Sequence, residues 1–331
     1  METLLLNPTD VDENADMAEV IVAVEEAFAA YEAGRVRMPA KSYIDLPEYD
    51  GDFRSMPAYM DSGEWDAAGI KWVNSHTNNA DAHGLPTVMG TMIYSDPETA
   101  FPLAVMDGTT LTRKRTGAAA AVATDRLAVP DAGSLGIVGL GVQSYTQLEA
   151  IATVRDIQTV VVTDKREAAV EAFLERFGDA FDVRPGSVSE AASCDVLSTV
   201  TPVESPIVDA ADLGEHTHVN AMGADAPGKN ELAADVLASA KLVIDDYEQC
   251  THSGEINVPW DDGTLTDGDL HAELGEIVAG KRSGRTPEDG LTVFDSTGLA
   301  IQDVAAARVV YERADAGGEG TGFTLVDTEL R

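Results

Sequence analysis

Cysteine is nearly absent from this chain of 331 residues: Cys194 and Cys250 stand far apart and outside any CxxC arrangement. That excludes a disulfide framework and a cysteine-based zinc site, and points to a reducing, cytoplasmic setting. Basic residues are scarce too, 22 against 58 acidic, for a formal net charge of −36. Such an excess repels nucleic acid and anionic lipid, and neither is expected as a partner. No stretch approaches the roughly 18 apolar residues that a membrane-spanning helix requires. The opening "METLLLNPTDVDENADM" has no basic start leading into a long apolar run, so a secretory leader is not expected either. The acids have no tail to themselves. Spread over the whole length, they read as the surface of a protein adapted to molar salt, where the Debye length falls to about 3 Å and self-repulsion is screened.

The length suffices for two domains. "DMAEVIVAVEEAFAAYEAG" carries apolar residues at helical spacing, with Asp16 and Glu19 to cap it and Gly34 to stop it. Strand-like segments follow at 69–74, 87–95 and 102–107, implying an α+β region with an antiparallel sheet, and 111–128 has helical composition. From Ser134 the rhythm becomes strand, helix, strand: "LGIVG", "TVVVTD", "DVLSTV", "HVNAMG", "KLVIDD" and "TVFDS" call for a doubly wound parallel sheet. The closing 298–316 is again helical and is expected to return to the first domain. The boundaries drawn are 1–125 with 303–331 for the outer domain and 126–302 for the inserted one.

Gly139 and Gly141, in "GIVGLGVQSYTQ", fall where a strand runs into a helix, the place at which dinucleotide-binding folds seat a pyrophosphate on free backbone N–H groups. Ser144 replaces the third glycine of the fingerprint, and a plain tight turn would look the same. Asp164, at the end of the next strand, favours NAD, because a carboxylate accepts both ribose hydroxyls and repels a 2′-phosphate; Lys165 and Arg166 soften that preference. Lys71 alternates with Ile70 and Trp72 in its strand, facing a pocket or water; if buried, it would have a lowered pKa and could exchange protons near neutrality. His216 and His218 form an HxH pair without a third ligand at usable spacing, so no metal is expected.

Taken together, "MPAKSYI", "GDFRSMPAY", "GIKWVNSHTNN", "LPTVMG", "RTGAAAA", "GLGVQS", "NAMGADAPGKNEL" and "VFDSTGLAIQD" resemble the ornithine cyclodeaminase/mu-crystallin family, in particular its archaeal alanine dehydrogenase branch. The resemblance implies a Rossmann doubly wound sheet inserted into an α+β substrate and dimerisation domain, bound NAD, and a homodimer. It implies chemistry at the α-carbon of a small amino acid or 2-oxo acid. Lys71 resembles the family's catalytic lysine and Asp225 the residue beside the substrate amine. Lys41, Arg54 and Arg115 match positions that hold the substrate carboxylate, a task suited to guanidinium and ammonium groups. Thr87, Arg115, Val142, Gln143, Thr201, Met222, Gly223, Lys229 and Ser296 match cofactor-contacting positions, beside Gly139, Gly141 and Asp164. The implied activity is NAD-dependent L-alanine dehydrogenation. Cyclic imine carboxylate reduction, ornithine cyclodeamination and dinucleotide binding without turnover are the alternatives.

Overall fold

The computed structural model describes residues 2–327. The chain forms two compact units, Met1–Arg115 with Leu299–Arg331, and Thr116–Gly298. Both divisions fall a little before the expected 125/126 and 302/303. At the first, helix Gly108–Leu127 runs unbroken through the division, so the sequence break near Pro130 marks where a helix ends and not where a unit ends. At the second, the expected boundary lies inside helix Ala300–Gly317. Met1 and 328–331 of the expected outer domain lie outside the described residues.

The first unit contains β1 (Thr3–Leu6), β2 (Val36–Arg37), β3 (Ser42–Leu46), β4 (Gly51–Asp61), β5 (Asp66–His76), β6 (Val88–Ser95), β7 (Pro102–Asp107) and a closing strand, Thr321–Phe323. The sheet runs closing strand, β1, β7, β6, β5, β4, β2, with β3 also on β4. Its pairs are antiparallel except β1 with β7, which is parallel and departs from the expected pattern. The long chain between those two strands supplies the crossover that a parallel pair needs. β4 had no clear signal in the sequence because Arg54 and Pro57 interrupt its apolar alternation. β3 pairs with Gly51–Ser55 and β2 with Tyr59–Met60, so Pro57 falls in the gap between them on that edge, where its missing N–H breaks no ladder bond with β2 or β3. Helix Met17–Glu32, capped by the Asp16 carboxylate accepting from Glu19 N, packs on helix Ala300–Gly317, which lies across β4, β5 and β6.

The second unit holds β8 (Ser134–Val138), β9 (Thr159–Thr163), β10 (Asp182–Pro185), β11 (Val196–Thr199), β12 (His218–Ala221), β13 (Lys241–Ile244), β14 (Leu270–Glu273) and β15 (Thr292–Asp295). They form one parallel sheet in the order β10, β9, β8, β11, β12, β15, β13, β14. In β9, Val161 packs into one apolar cluster while Val160 and Val162 join the other, which is why a strand covered on both faces reads as an unbroken apolar run. Strand order reverses between β8 and β11, the topological switch point where such sheets bind ligands.

Candidate active site

At that switch point only Gly139, Leu140 and Gly141 separate β8 from helix Val142–Val154. Gly139 has φ +92°, and a Cβ on it would stand 2.6 Å from Thr201 Cγ2 and 3.1 Å from the Val200 carbonyl oxygen. Any other residue would be strained there and would collide with the segment leaving β11. Gly141 caps the helix without a side chain, and a Cβ on it would meet nothing within 4 Å. The helix thus begins with open space beside its cap, the setting in which a helix N-terminus can take a pyrophosphate. Ser144, in place of the third glycine, is buried and donates its hydroxyl to the Gly141 carbonyl at 2.7 Å.

Asp164 follows β9. Its Oδ2 accepts from Leu140 N at 2.7 Å and Arg166 Nη2 at 3.0 Å, and its Oδ1 accepts from Arg166 N at 2.8 Å and Nε at 3.0 Å. The Arg166 hydrogen bonds are the main cause of a pKa lowered to about 2. The carboxylate thus ties the end of β9 to the glycine turn, and the Arg166 guanidinium that covers it is 65% exposed.

Behind the turn lies a chain of fully buried acids. Glu231 accepts from Thr201 N and Oγ1, both at 2.7 Å, and from Gly223 N at 3.0 Å, binding the segments that leave β11 and β12 to each other. Glu255 accepts from Asn230 Nδ2, Glu231 N and Leu232 N. Asp295 accepts from Glu255 N and Ile256 N, and Asp245 from Ser296 Oγ and Gly298 N at 2.9 Å each. Burial raises Glu231 above the usual carboxylate range, Glu255 well above it, and Asp295 to about 7. The hydroxyls of Thr201 and Ser296 are thereby engaged by Glu231 and Asp245. Met222 N donates to the Thr199 carbonyl at 3.0 Å, and Asp225 is ion-paired with Lys229 four residues on. Val142 is 61% exposed at the helix start, and Gln143 beside it keeps a buried Oε1 without a donor among the described residues.

In the first unit, Lys71 projects from β5 between Met56 and Met92 on the flanking strands and is 1% exposed. Its Nζ lies 2.8 Å from each carboxylate oxygen of Asp303 and 3.2 Å from Thr112 Oγ1. Arg115, also buried, donates Nε to Asp303 Oδ1 at 3.0 Å and Nη1 to Gln302 Oε1 at 3.1 Å. Burial, helped by the Arg115 and Lys41 charges and opposed by Asp303, lowers the Lys71 pKa to about 7. Arg54 opposes Val73, on the same face of the sheet as Lys71 by the pleat, but its fork grips Asp52 with two contacts of 2.9 Å and its guanidinium lies 5.4 Å from the Tyr43 ring centre. Thr87 is half-buried, and its carbonyl accepts from His76 N at 2.8 Å.

Lys71 and Arg115 thus meet on one carboxylate, and the Lys41 charge acts on Lys71. The glycines, Asp164, Thr201, Met222 and Gly223 share the C-terminal side of the parallel sheet. Sequence reasoning missed Asp303, Gln302 and Glu231. Asp303 had a legible signal, an acid within the apolar helical run "AIQDVAAARVV". Glu231 stands in the segment "NAMGADAPGKNEL" that carries the resemblance, but its role was not legible there, since its partners are Thr201 and the Gly223 N–H on segments leaving two different strands. His218 is buried, bonded to Thr292 Oγ1 and Asn220 Oδ1, and among the described residues no cluster suited to a metal occurs.

The parallel sheet, its switch point and the glycine turn make the second unit a Rossmann-type dinucleotide-binding fold, in a chain whose first unit buries a lysine among fixed charges. The chain belongs to the ornithine cyclodeaminase/mu-crystallin family, whose sequence model matches residues 1–318. It is 49% identical over 317 residues to an alanine dehydrogenase of Archaeoglobus fulgidus, covering 95% of this chain and 96% of that one. Its structure matches that of an archaeal alanine dehydrogenase dimer with bound NAD at a TM-score of 0.93 and 46% identity, over 98% of this chain and 100% of the other. It also matches a Delta(1)-pyrroline-2-carboxylate reductase of Thermococcus litoralis in complex with NADH and L-proline, at 0.92 and 36%, over 96% and 99%.

Proposed function

We propose that the chain is an NAD-dependent amino-acid dehydrogenase acting on L-alanine: alanine, NAD and water give pyruvate, ammonium, NADH and a proton, reversibly. The observation that carries this reading is the charge of the first unit. In a chain with 58 acids and 22 bases, two buried bases, Lys71 and Arg115, share the single carboxylate of Asp303 while the Lys41 charge acts on Lys71, and a carboxylate ligand suits that concentration of positive charge. Lys41, Arg54 and Arg115 hold the substrate carboxylate. Gln302 Nε2, a buried donor without an acceptor among the described residues, is free to meet a substrate oxygen. The glycine turn, Asp164 and the segments after β11 and β12 fit the dinucleotide, because Gly139 admits no Cβ and Gly141 leaves the helix start open. NAD, when bound, supplies the acceptor for the hydride leaving the α-carbon. Neutral Lys71 takes a proton from the substrate ammonium and returns one as water adds to the imino acid and ammonia departs. Asp225, held by Lys229, orients that water.

The first unit is also the proposed dimer surface. On the sheet face opposite Lys71, Ile44 is 52% exposed, Trp72 42% and Ile93 38%, with Phe53 stacked on Trp72 at 5.2 Å. A saline cytoplasm is the setting this reading assigns to the acidic surface.

A second reading, reduction of a cyclic imine carboxylate, draws on the reductase relative and needs the same hydride step. Incubation with NAD and L-alanine, watching reduced cofactor form, tests the first. Consumption of NADH with a cyclic imine but not with pyruvate plus ammonia would replace it with the second, proline formed from L-ornithine would indicate cyclodeamination, and cofactor binding without any turnover would leave a dinucleotide-binding protein.

A further inference from the structure

We propose that Asp303 is a positioning residue that fixes both the orientation of Lys71 Nζ and the protonation state in which it waits. The inference rests on the reading of Lys71 as the proton carrier, and it concerns a residue to which no role has so far been given. It starts from the tetrahedral nitrogen. A lysine ammonium has three donors, a neutral amine two donors and a lone pair. Asp303 receives Nζ at 2.8 Å, and Thr112 Oγ1 lies 3.2 Å away. The Thr112 hydroxyl itself donates to the Gly108 carbonyl at 2.6 Å, so toward Nζ it can only accept. Both partners are therefore acceptors in either state of the lysine. Two N–H bonds stay committed, and the third vertex alone changes, bearing a proton in one state and a lone pair in the other. The proton exchanged with a substrate has one place to be.

The charge argument is independent of that geometry. The groups acting on Lys71 are Asp303 from helix Ala300–Gly317, Arg115 from helix Gly108–Leu127 and Lys41 from the segment before β3. Burial, Arg115 and Lys41 all favour the neutral amine, and Asp303 alone among the three favours the ammonium. Arg115 donates to the same carboxylate through Nε, so Asp303 serves one cation that stays charged and one that titrates. Without it, Lys71 would be neutral throughout the physiological range and could accept a proton only weakly. With it, the two states are balanced near neutrality, as a group that must both take and return a proton requires.

The test compares the pH dependence of kcat for amino-acid oxidation in the wild type, Asp303→Asn, Asp303→Glu and Lys71→Ala. The acid limb set by Lys71 should move down by at least about one pH unit in Asp303→Asn, the size expected on losing an adjacent opposite charge. It should stay in place in Asp303→Glu, with a lower plateau from the displaced Nζ. The second measurement is thermal stability. Because Lys71 binds its proton less readily in Asp303→Asn, the Tm deficit of that variant should widen as the pH falls from 8 to 5.5 through the Lys71 pKa. An unmoved acid limb, a deficit independent of pH, or an Asn variant that stays unfolded at every pH from 5.5 to 9 would each overturn the proposal. Normal turnover by Lys71→Ala would instead remove the reading of Lys71 on which it rests.

Discussion

Asp164→Asn should weaken NAD binding by about 5- to 150-fold while leaving NADP binding unchanged or tighter. The magnitude follows from what the carboxylate does. A hydrogen bond to a charged acceptor contributes about 1.5–3 kcal/mol, and a neutral one about 1 kcal/mol. A ribose must first displace Arg166, but that guanidinium is 65% exposed, and an exposed ion pair contributes only about 0–1 kcal/mol. Exchanging the carboxylate for an amide therefore removes roughly 1–3 kcal/mol from the ribose contacts, hence the range in affinity. The amide oxygen can still accept from Leu140 N, now at 2.7 Å, so the glycine turn keeps its anchor. For NADP the balance reverses: the repulsion of a 2′-phosphate goes, and Arg166, released from its partner, can pair with it. Arg166→Ala serves as the counterpart, changing NAD affinity by less than about fivefold, the equivalent of about 1 kcal/mol, while weakening NADP. Fluorescence titration of both cofactors against the wild type and the two variants decides the matter. Equal losses of NAD and NADP in Asp164→Asn, or a loss of NAD in Arg166→Ala as large as in Asp164→Asn, would refute the assignment of Asp164 to the ribose.

Gly139→Ala combines a left-handed backbone with a Cβ 2.6 Å from Thr201 Cγ2, so it should lower stability by about 1–3 kcal/mol and lower cofactor affinity further, read by calorimetry and titration. Trp72→Glu, on the exposed sheet face, should convert dimer to monomer in sedimentation while leaving NAD binding intact. Both Tm and activity should rise from about 0.1 to 3 M KCl as the charge of −36 is screened; a flat profile would remove the reading of the surface as salt-adapted. His218, held neutral by burial with a pKa lowered to about 3, binds no proton in the folded chain when the unfolded chain does. Stability should therefore fall by up to about 1.4 kcal/mol per pH unit as the pH drops from about 6.5 toward 3, and His218→Gln should flatten that slope in acid unfolding.

The second unit was the more legible because each buried parallel strand is an unbroken apolar run punctuated by turn residues, and because a glycine that must hold φ +92° leaves a mark in the sequence. The first unit was less so. β4 exposes part of one face, carries charges on the other, and places Pro57 in a pairing gap visible only once β2 and β3 are in position. The candidate site residues divide in the same way. Family resemblance could point to Lys71 and Arg115, but the carboxylate that joins them comes from a helix more than half the chain away, and spacing cannot report such a contact. Arg54 shows the limit from the other side: its residue type suits a substrate carboxylate, but the sequence gives no sign that Asp52, two residues earlier, shares its fork and that a substrate must compete with it.

The buried acids of the second unit bear on how this chain meets its solvent. Burial raises the pKa values of Glu231, Glu255 and Asp295, the last to about 7, so near neutrality Asp295 holds for part of the time a proton that the formal count of −36 assigns to solution. Unfolding near neutral pH therefore discharges protons into the medium, and raising the pH draws the equilibrium toward the unfolded chain. Potassium ions can attenuate the field of the outer carboxylates but have no access to these. Ionic strength and alkalinity thus act on separate populations of acids, one at the boundary with water and one sealed behind the glycine turn.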